Sequence, residues 1–218
     1  MLNRRHFLQT GLAWLVLPAL VAVGALWTGA LPLKLGVPLV CAVLLGALLV
    51  AGKVRHRDVV WVMAAFAFSA AGDYFLSNRR GREEYFVIGI GLFLIAHFGY
   101  LTTAWLNGRV HRPVLGLLLM VFGGYYAVLL YPAIEGRVLA AAVLVYLLVS
   151  CLVMAVAAGL RWAPALKVWY VLGIALIVLS DTVISFHEFL GIRTFNWLIL
   201  PTYYLAHLAI TLALIRRG

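Results

Sequence analysis

The sequence predicts an all-α, polytopic transmembrane helical bundle of about eight spans. Composition gives the first reason: 66% of the 218 residues are hydrophobic and only 11% are charged, with a mean hydropathy of +1.07. A water-soluble domain of this length has too little interior to hide that much apolar surface. The second reason is the repetition of apolar runs of about 20 residues, each long enough to cross ~30 Å of hydrocarbon as a helix. Lipid offers the backbone no hydrogen-bond partner, so such runs must satisfy their own amides. Within them apolar residues are continuous rather than alternating, which argues against a β-barrel.

The predicted spans are 7–27, 33–51, 59–77, 85–106, 113–131, 138–158, 166–186 and 195–215. Short polar connections separate them: KVRHRD at 53–58, SNRRGREE at 77–84, NGRVHR at 107–112, YPAIEGR at 131–137, RWAP at 161–164 and HEFLGIR at 187–193. No linker or low-complexity segment intervenes, so residues 1–218 read as one integral membrane helical domain. The first span has a second reading. Asn3-Arg4-Arg5 ahead of an apolar run has the outline of a twin-arginine export signal, whose cleavage would leave seven spans. A basic anchor is preferred, since a polytopic chain needs no export of a folded domain.

The net charge of +10 does not point to nucleic acid here, because Lys and Arg sit at the ends of apolar runs. Eleven of the 17 basic residues fall on the side that holds the N-terminus, the second, fourth and sixth connections, and the C-terminus. The positive-inside rule then puts both termini in the cytoplasm. Cys41 and Cys151 both fall mid-span and read as small packing residues rather than a disulfide or metal pair.

Of the seven acidic residues, only Asp73 and Asp181 stand inside apolar runs. A carboxylate near the bilayer centre costs roughly 2.5–3.5 kcal/mol on insertion scales, and such residues are functional candidates by default. The alternative is a hydrogen-bonded carboxyl that only holds helices together. Helical spacing extends each aspartate into a polar stripe: Ser69, Asp73 and Ser77 on the third span, Asp181 and Ser185 on the seventh, with Glu188 one turn further. Both spans run in the same direction, and both aspartates lie one to two turns from the outer end. Two carboxyls at similar depth are what a shared site requires.

Further candidates for substrate binding at that depth are Lys34 at the start of the second span, His97 and Tyr100 on the fourth, and Tyr203, Tyr204 and His207 on the eighth. Each has a plainer reading: a snorkelling lysine, interfacial tyrosines, histidines bonded between helices. A metal held by His97, His207, Asp73 and Asp181 finds little support, as no HExxH or Cys/His ligand spacing is present. No Gly-x-Ser-x-Gly elbow, phosphate loop or dinucleotide fingerprint occurs either. Carboxyl acid/base chemistry without a cofactor is the better fit.

Five stretches together resemble the YhhN-type lysoplasmalogenase family: FSAAGDYFLS (68–77), GIGLFLIAHFGYL (89–101), VYLLVSCLVMAVAAG (145–159), LSDTVISFHEF (179–189) and PTYYLAHLAI (201–210). The likeness runs from Lys34 onward. Two positions depart from the family pattern: His207 stands where the family usually has Gln, and His187-Glu188-Phe189 where it often has Asn-Arg-Phe. The resemblance implies hydrolysis of the vinyl-ether bond of lysoplasmalogens, giving a fatty aldehyde and glycerophosphoethanolamine or glycerophosphocholine. It also implies an integral protein of a bacterial inner membrane whose partners are a lysophospholipid substrate and membrane lipids. One carboxyl would protonate the alkenyl carbon, and a second, ionised, would stabilise the oxocarbenium ion or activate water. Asp73 is taken as the acid and Asp181 as the base, with Lys34, His97 and Tyr204 orienting the substrate or its phosphate. The alternatives are a proton-coupled lipid or small-molecule transporter, in which intramembrane acids are also common, and a structural protein whose acids are glue.

Overall fold

The computed structural model describes residues 11–218, so Arg4, Arg5 and the twin-arginine outline lie outside the described residues. Eight helices long and apolar enough to span a membrane follow one another: α1 (Gly11–Thr28), α2 (Leu31–Val50), α3 (Val59–Ser77), α4 (Glu83–Asn107), α5 (Arg112–Ala133), α6 (Arg137–Ala158), α7 (Pro164–Leu190) and α8 (Asn196–Arg217). The protein is an integral membrane protein. Among the described residues the only β-pairing is a single bridge between Gly108 and Leu160, which ties two connections together.

The helix limits follow local chemistry. Pro32, Pro113 and Pro164 occupy first-turn positions, where a missing N–H leaves nothing unpaired. Gly29 and Gly191 end α1 and α7 in the left-handed region, at φ 64° and 68°. The chief departure from the expected spans is α7, which continues beyond Phe186 through His187 and Glu188 to Leu190. It can do so because both polar side chains find partners near the bundle end: Glu188 pairs with Arg79, and His187 bonds Asn196.

The closest packing joins α3 to α4 and α7 to α8; α2 lies on α3 and α8, and α6 on α4 and α7. Small residues allow these approaches. A Cβ on Gly173 of α7 would stand 2.5 Å from Ile210 Cγ1 and 2.9 Å from the Ala206 carbonyl oxygen of α8. α8 is the most enclosed helix, and α5 the least, with 6% of its apolar window buried. Of α5, only Leu130 turns fully inward, from a π-helical turn at Tyr126–Leu130 that rests on α7.

Ion pairs close both ends. At the end holding the second, fourth and sixth connections, Arg217 donates to Asp58 at 2.7 Å and to Asn107 at 2.6 Å, and stacks on Trp162. At the opposite end Arg79 bridges the start of the α3–α4 connection to Glu188 of α7. α3 and α7 do not pack extensively on one another, so their outer halves leave room between them.

Gly173→Ala is expected to lower the thermal midpoint of the detergent-solubilised protein, because overpacking a tight contact costs about 1–3 kcal/mol. Gly91→Ala, whose Cβ would meet nothing within 4 Å, is expected to leave the midpoint unchanged or raised. Size-exclusion recovery after heating measures both.

Candidate active site

Asp73 and Asp181 line one cleft, open on one side. α3 supplies Asp73 and Ser77, α4 supplies Phe93, α7 supplies Ser180 and Asp181, and α8 supplies Tyr203. Toward the bundle end the rim is polar, with His187, Glu188 and Asn196. Ser180 donates to the Ile199 carbonyl at 3.1 Å, which fixes the start of α8 against α7 at the side of the cleft.

Each carboxyl holds one tyrosine hydroxyl from another helix. Tyr203 donates to Asp73 Oδ2 at 2.8 Å, and Tyr146 of α6 donates to Asp181 Oδ2 at 2.7 Å. These bonds replace water at a depth where an unpaired carboxyl would be expensive. His97 stands behind Asp181, its Nε2 3.7 Å from Oδ2 and its ring 4.8 Å from that of Tyr146. The side chain of His97 is 3% exposed and that of Asp181 21%, so the imidazole backs a carboxyl that opens to the cleft.

The imidazole tautomer follows from its other bond. His97 Nδ1 lies 2.9 Å from the Phe93 carbonyl oxygen. A carbonyl only accepts, so Nδ1 carries the hydrogen, and Nε2 of the neutral ring presents a lone pair to Asp181. Two lone pairs facing each other repel, and a proton on either partner converts the pair to an attractive one. Asp73 has different company. Its hydrogen-bond partner is Tyr203, and no histidine ring pairs with it as His97 does with Asp181. The two aspartates thus have unlike neighbours: Asp181 has an imidazole behind it, and Asp73 has the Tyr203 phenol.

The remaining expected site residues are distributed as follows. Ser77 and Tyr203 line the cleft. His97 touches it through Asp181. Ser69 and Tyr100 lie buried below it, oxygen to oxygen at 3.4 Å, with Phe66 against the Tyr100 ring. Tyr204 packs with Val37 and Ala25 away from the cleft lining, and its buried hydroxyl has no partner among the described residues. His207 is fully buried beneath Tyr203, its ring centroid 4.4 Å from that of the tyrosine and its Nδ1 2.8 Å from the Tyr203 carbonyl. Lys34 is not among the lining residues. Among the described residues no three His, Cys, Asp or Glu side chains converge as metal ligands.

Sequence reasoning passed over Tyr146, Asn196 and His187. Tyr146 was visible only as the second residue of the VYLLVSCLVMAVAAG run. The signal that could have singled it out is a phenol in the middle of a span, far from the interface where tyrosines usually anchor.

A charged, bilayer-impermeant thiol reagent is expected to modify Ser77→Cys, which is exposed in the cleft, and to spare Ser69→Cys, which is buried below it. The native Cys41 and Cys151 are both buried, and mass spectrometry of the modified protein reads the difference.

Comparison with known proteins adds an independent finding. No curated protein and no solved structure matches the chain. The YhhN family matches residues 33–214, which takes in α2 to the last turns of α8 and every residue that lines the cleft. The chain therefore belongs to the YhhN family.

Proposed function

We propose that this protein is a lysoplasmalogenase-like hydrolase that cleaves the vinyl-ether bond of single-chain alkenyl phospholipids. The observation that carries the proposal is the pairing of Asp73 and Asp181 across one cleft, each carboxyl held by a tyrosine from a different helix. Membership of the YhhN family supports the hydrolase class.

The chemistry asks for two unlike carboxyls. The Asp181–His97 pair is the better holder of a proton, since its facing lone pairs need one between them. Asp73, with a tyrosine partner and no imidazole facing it, is the carboxylate in this scheme. This reverses the roles expected from the sequence. In the first step the proton from the Asp181–His97 pair adds to the alkenyl carbon, and the ether-bearing carbon becomes an oxocarbenium ion. The Asp73 carboxylate stabilises that cation and takes a proton from the attacking water. The resulting hemiacetal collapses to a fatty aldehyde and a glycerophospholipid alcohol. One water is consumed, and the site regains its proton. Two carboxyl groups serve oxocarbenium-like states in glycosidases by the same logic.

Purified protein is expected to release aldehyde from a lysoplasmenyl lipid. Asp73→Asn and Asp181→Asn should each abolish release while the protein stays folded by size exclusion and circular dichroism. Tyr146→Phe and Tyr203→Phe should lower kcat by about 10- to 100-fold, the range in which a partner that orients a reactive group acts. Full activity in either asparagine variant would rule out the mechanism. Proton flux coupled to lipid movement in liposomes, without turnover, would identify a carrier instead.

A further inference from the structure

Asp181 lines more than the polar cleft. It also lines an open groove between α5, α6 and α7, whose exposed lining is mostly apolar. Leu118 and Phe122 of α5, Leu147, Cys151 and Met154 of α6, and Val178 of α7 form its sides. The hydroxyls along it are already engaged with the protein. Tyr125 bonds Ser185 at 2.7 Å, Ser150 donates to the Tyr146 carbonyl at 2.8 Å, and Thr182 donates to the Val178 carbonyl at 2.7 Å. A guest in the groove therefore meets hydrocarbon and spent hydroxyls, with Asp181 as the one carboxyl along it.

Direction adds to this. α6 runs from the cleft end of the bundle toward the opposite end, so Tyr146, Cys151 and Met154 lie at successive depths below the aspartates. Eight residues of helix separate Tyr146 from Met154, a length of about 12 Å. The outer wall is α5, the least enclosed helix, which packs chiefly on α6 and touches α7 at its π-helical turn. Such turns recur at functional positions in helices.

We propose that this groove holds the single hydrocarbon chain of the substrate, with Leu118 and Met154 at its inner end setting the preferred chain length. The proposal rests on the hydrolase reading above. The polar head then occupies the cleft among Ser77, His187 and Asn196, and the bond to be broken lies where cleft and groove meet at Asp181. An amphiphile bound this way keeps its head near the membrane surface and its tail toward the midplane, as in the bilayer it leaves. A second hollow that Asp181 lines, with Phe86, Ile90 and Phe189, lies toward the bundle end and would turn the tail back toward the surface.

The test compares kcat/KM for lysoplasmenyl lipids of about 18 and about 12 chain carbons, a choice set by how strongly apolar pockets discriminate by size. Leu118→Trp sits on the weakly packed α5 and fills the inner end of the groove. It is expected to lower the long-to-short ratio about tenfold or more, and Met154→Ala to raise it. An unchanged ratio in both variants would overturn the proposal, as would a shift produced by Ile90→Trp and not by Leu118→Trp. A lysolipid carrying a diazirine at the end of its chain reads occupancy without turnover. Cross-linking to α5 or α6 near Leu118 and Met154 supports the groove, and cross-linking confined to Phe86 or Phe189 refutes it. If the unaltered protein turns over no lysolipid yet cross-links there, the hydrolase reading fails and the chain site stands.

Discussion

The structure depends on the need to satisfy a carboxyl in hydrocarbon. Asp73 and Asp181 would each be costly at their depth if left alone. Each is satisfied by a tyrosine hydroxyl from a separate helix, Tyr203 of α8 and Tyr146 of α6. Those bonds constrain the register of α8 against α3 and of α6 against α7. The arrangement also explains why the outer halves of α3 and α7 need not touch. Phenols bridge to the carboxyls from either side, and a cleft remains between them. A helix pair glued directly by its acids would have no such space.

The rest of the bundle holds this geometry in place. Tight backbone contact at Gly173 sets α7 against α8, and Ser180 ties the start of α8 to α7. The ion pairs Arg217–Asp58 and Arg79–Glu188 close the two ends. α5 packs on α6 at the edge of this frame, and Leu130 is its one fully buried residue. Rigid helices carry the acids, and the loosest helix borders the apolar groove that runs from Asp181. Both properties suit the proposed hydrolysis, in which charges are held still and a lipid enters from the side.

Much of this was legible in the sequence because membrane folding leaves few choices. Runs of about 20 apolar residues gave eight helices within a few residues of their observed limits. Asp73 and Asp181 stood out because no other acid lies inside a run, and counting spans put them at similar depth. Helical spacing was less informative beyond that. Ser69, one turn inward of Asp73, shares its face but lies below the cleft against Tyr100. Tyr204 follows Tyr203 in sequence, yet Tyr203 bonds Asp73 and lines the cleft, and the Tyr204 hydroxyl is buried outside that lining. Such differences depend on the rotation of α8 about its axis, which periodicity alone does not fix. Tyr146 was hidden for a related reason: only the packing of α6 against α7 gives its phenol a carboxyl to bind. The extra turn of α7 also depended on partners from elsewhere in the chain, Arg79 of the α3–α4 connection and Asn196 at the start of α8.

Turnover of a lysoplasmenyl lipid in D₂O tests the central claim most directly, because the proposed acid adds its proton to carbon rather than to the ether oxygen. The account predicts an aldehyde carrying one deuterium on the carbon next to its carbonyl, and loss of that product in Asp181→Asn. Aldehyde released without that deuterium, or labelled aldehyde released undiminished by Asp181→Asn, would contradict it.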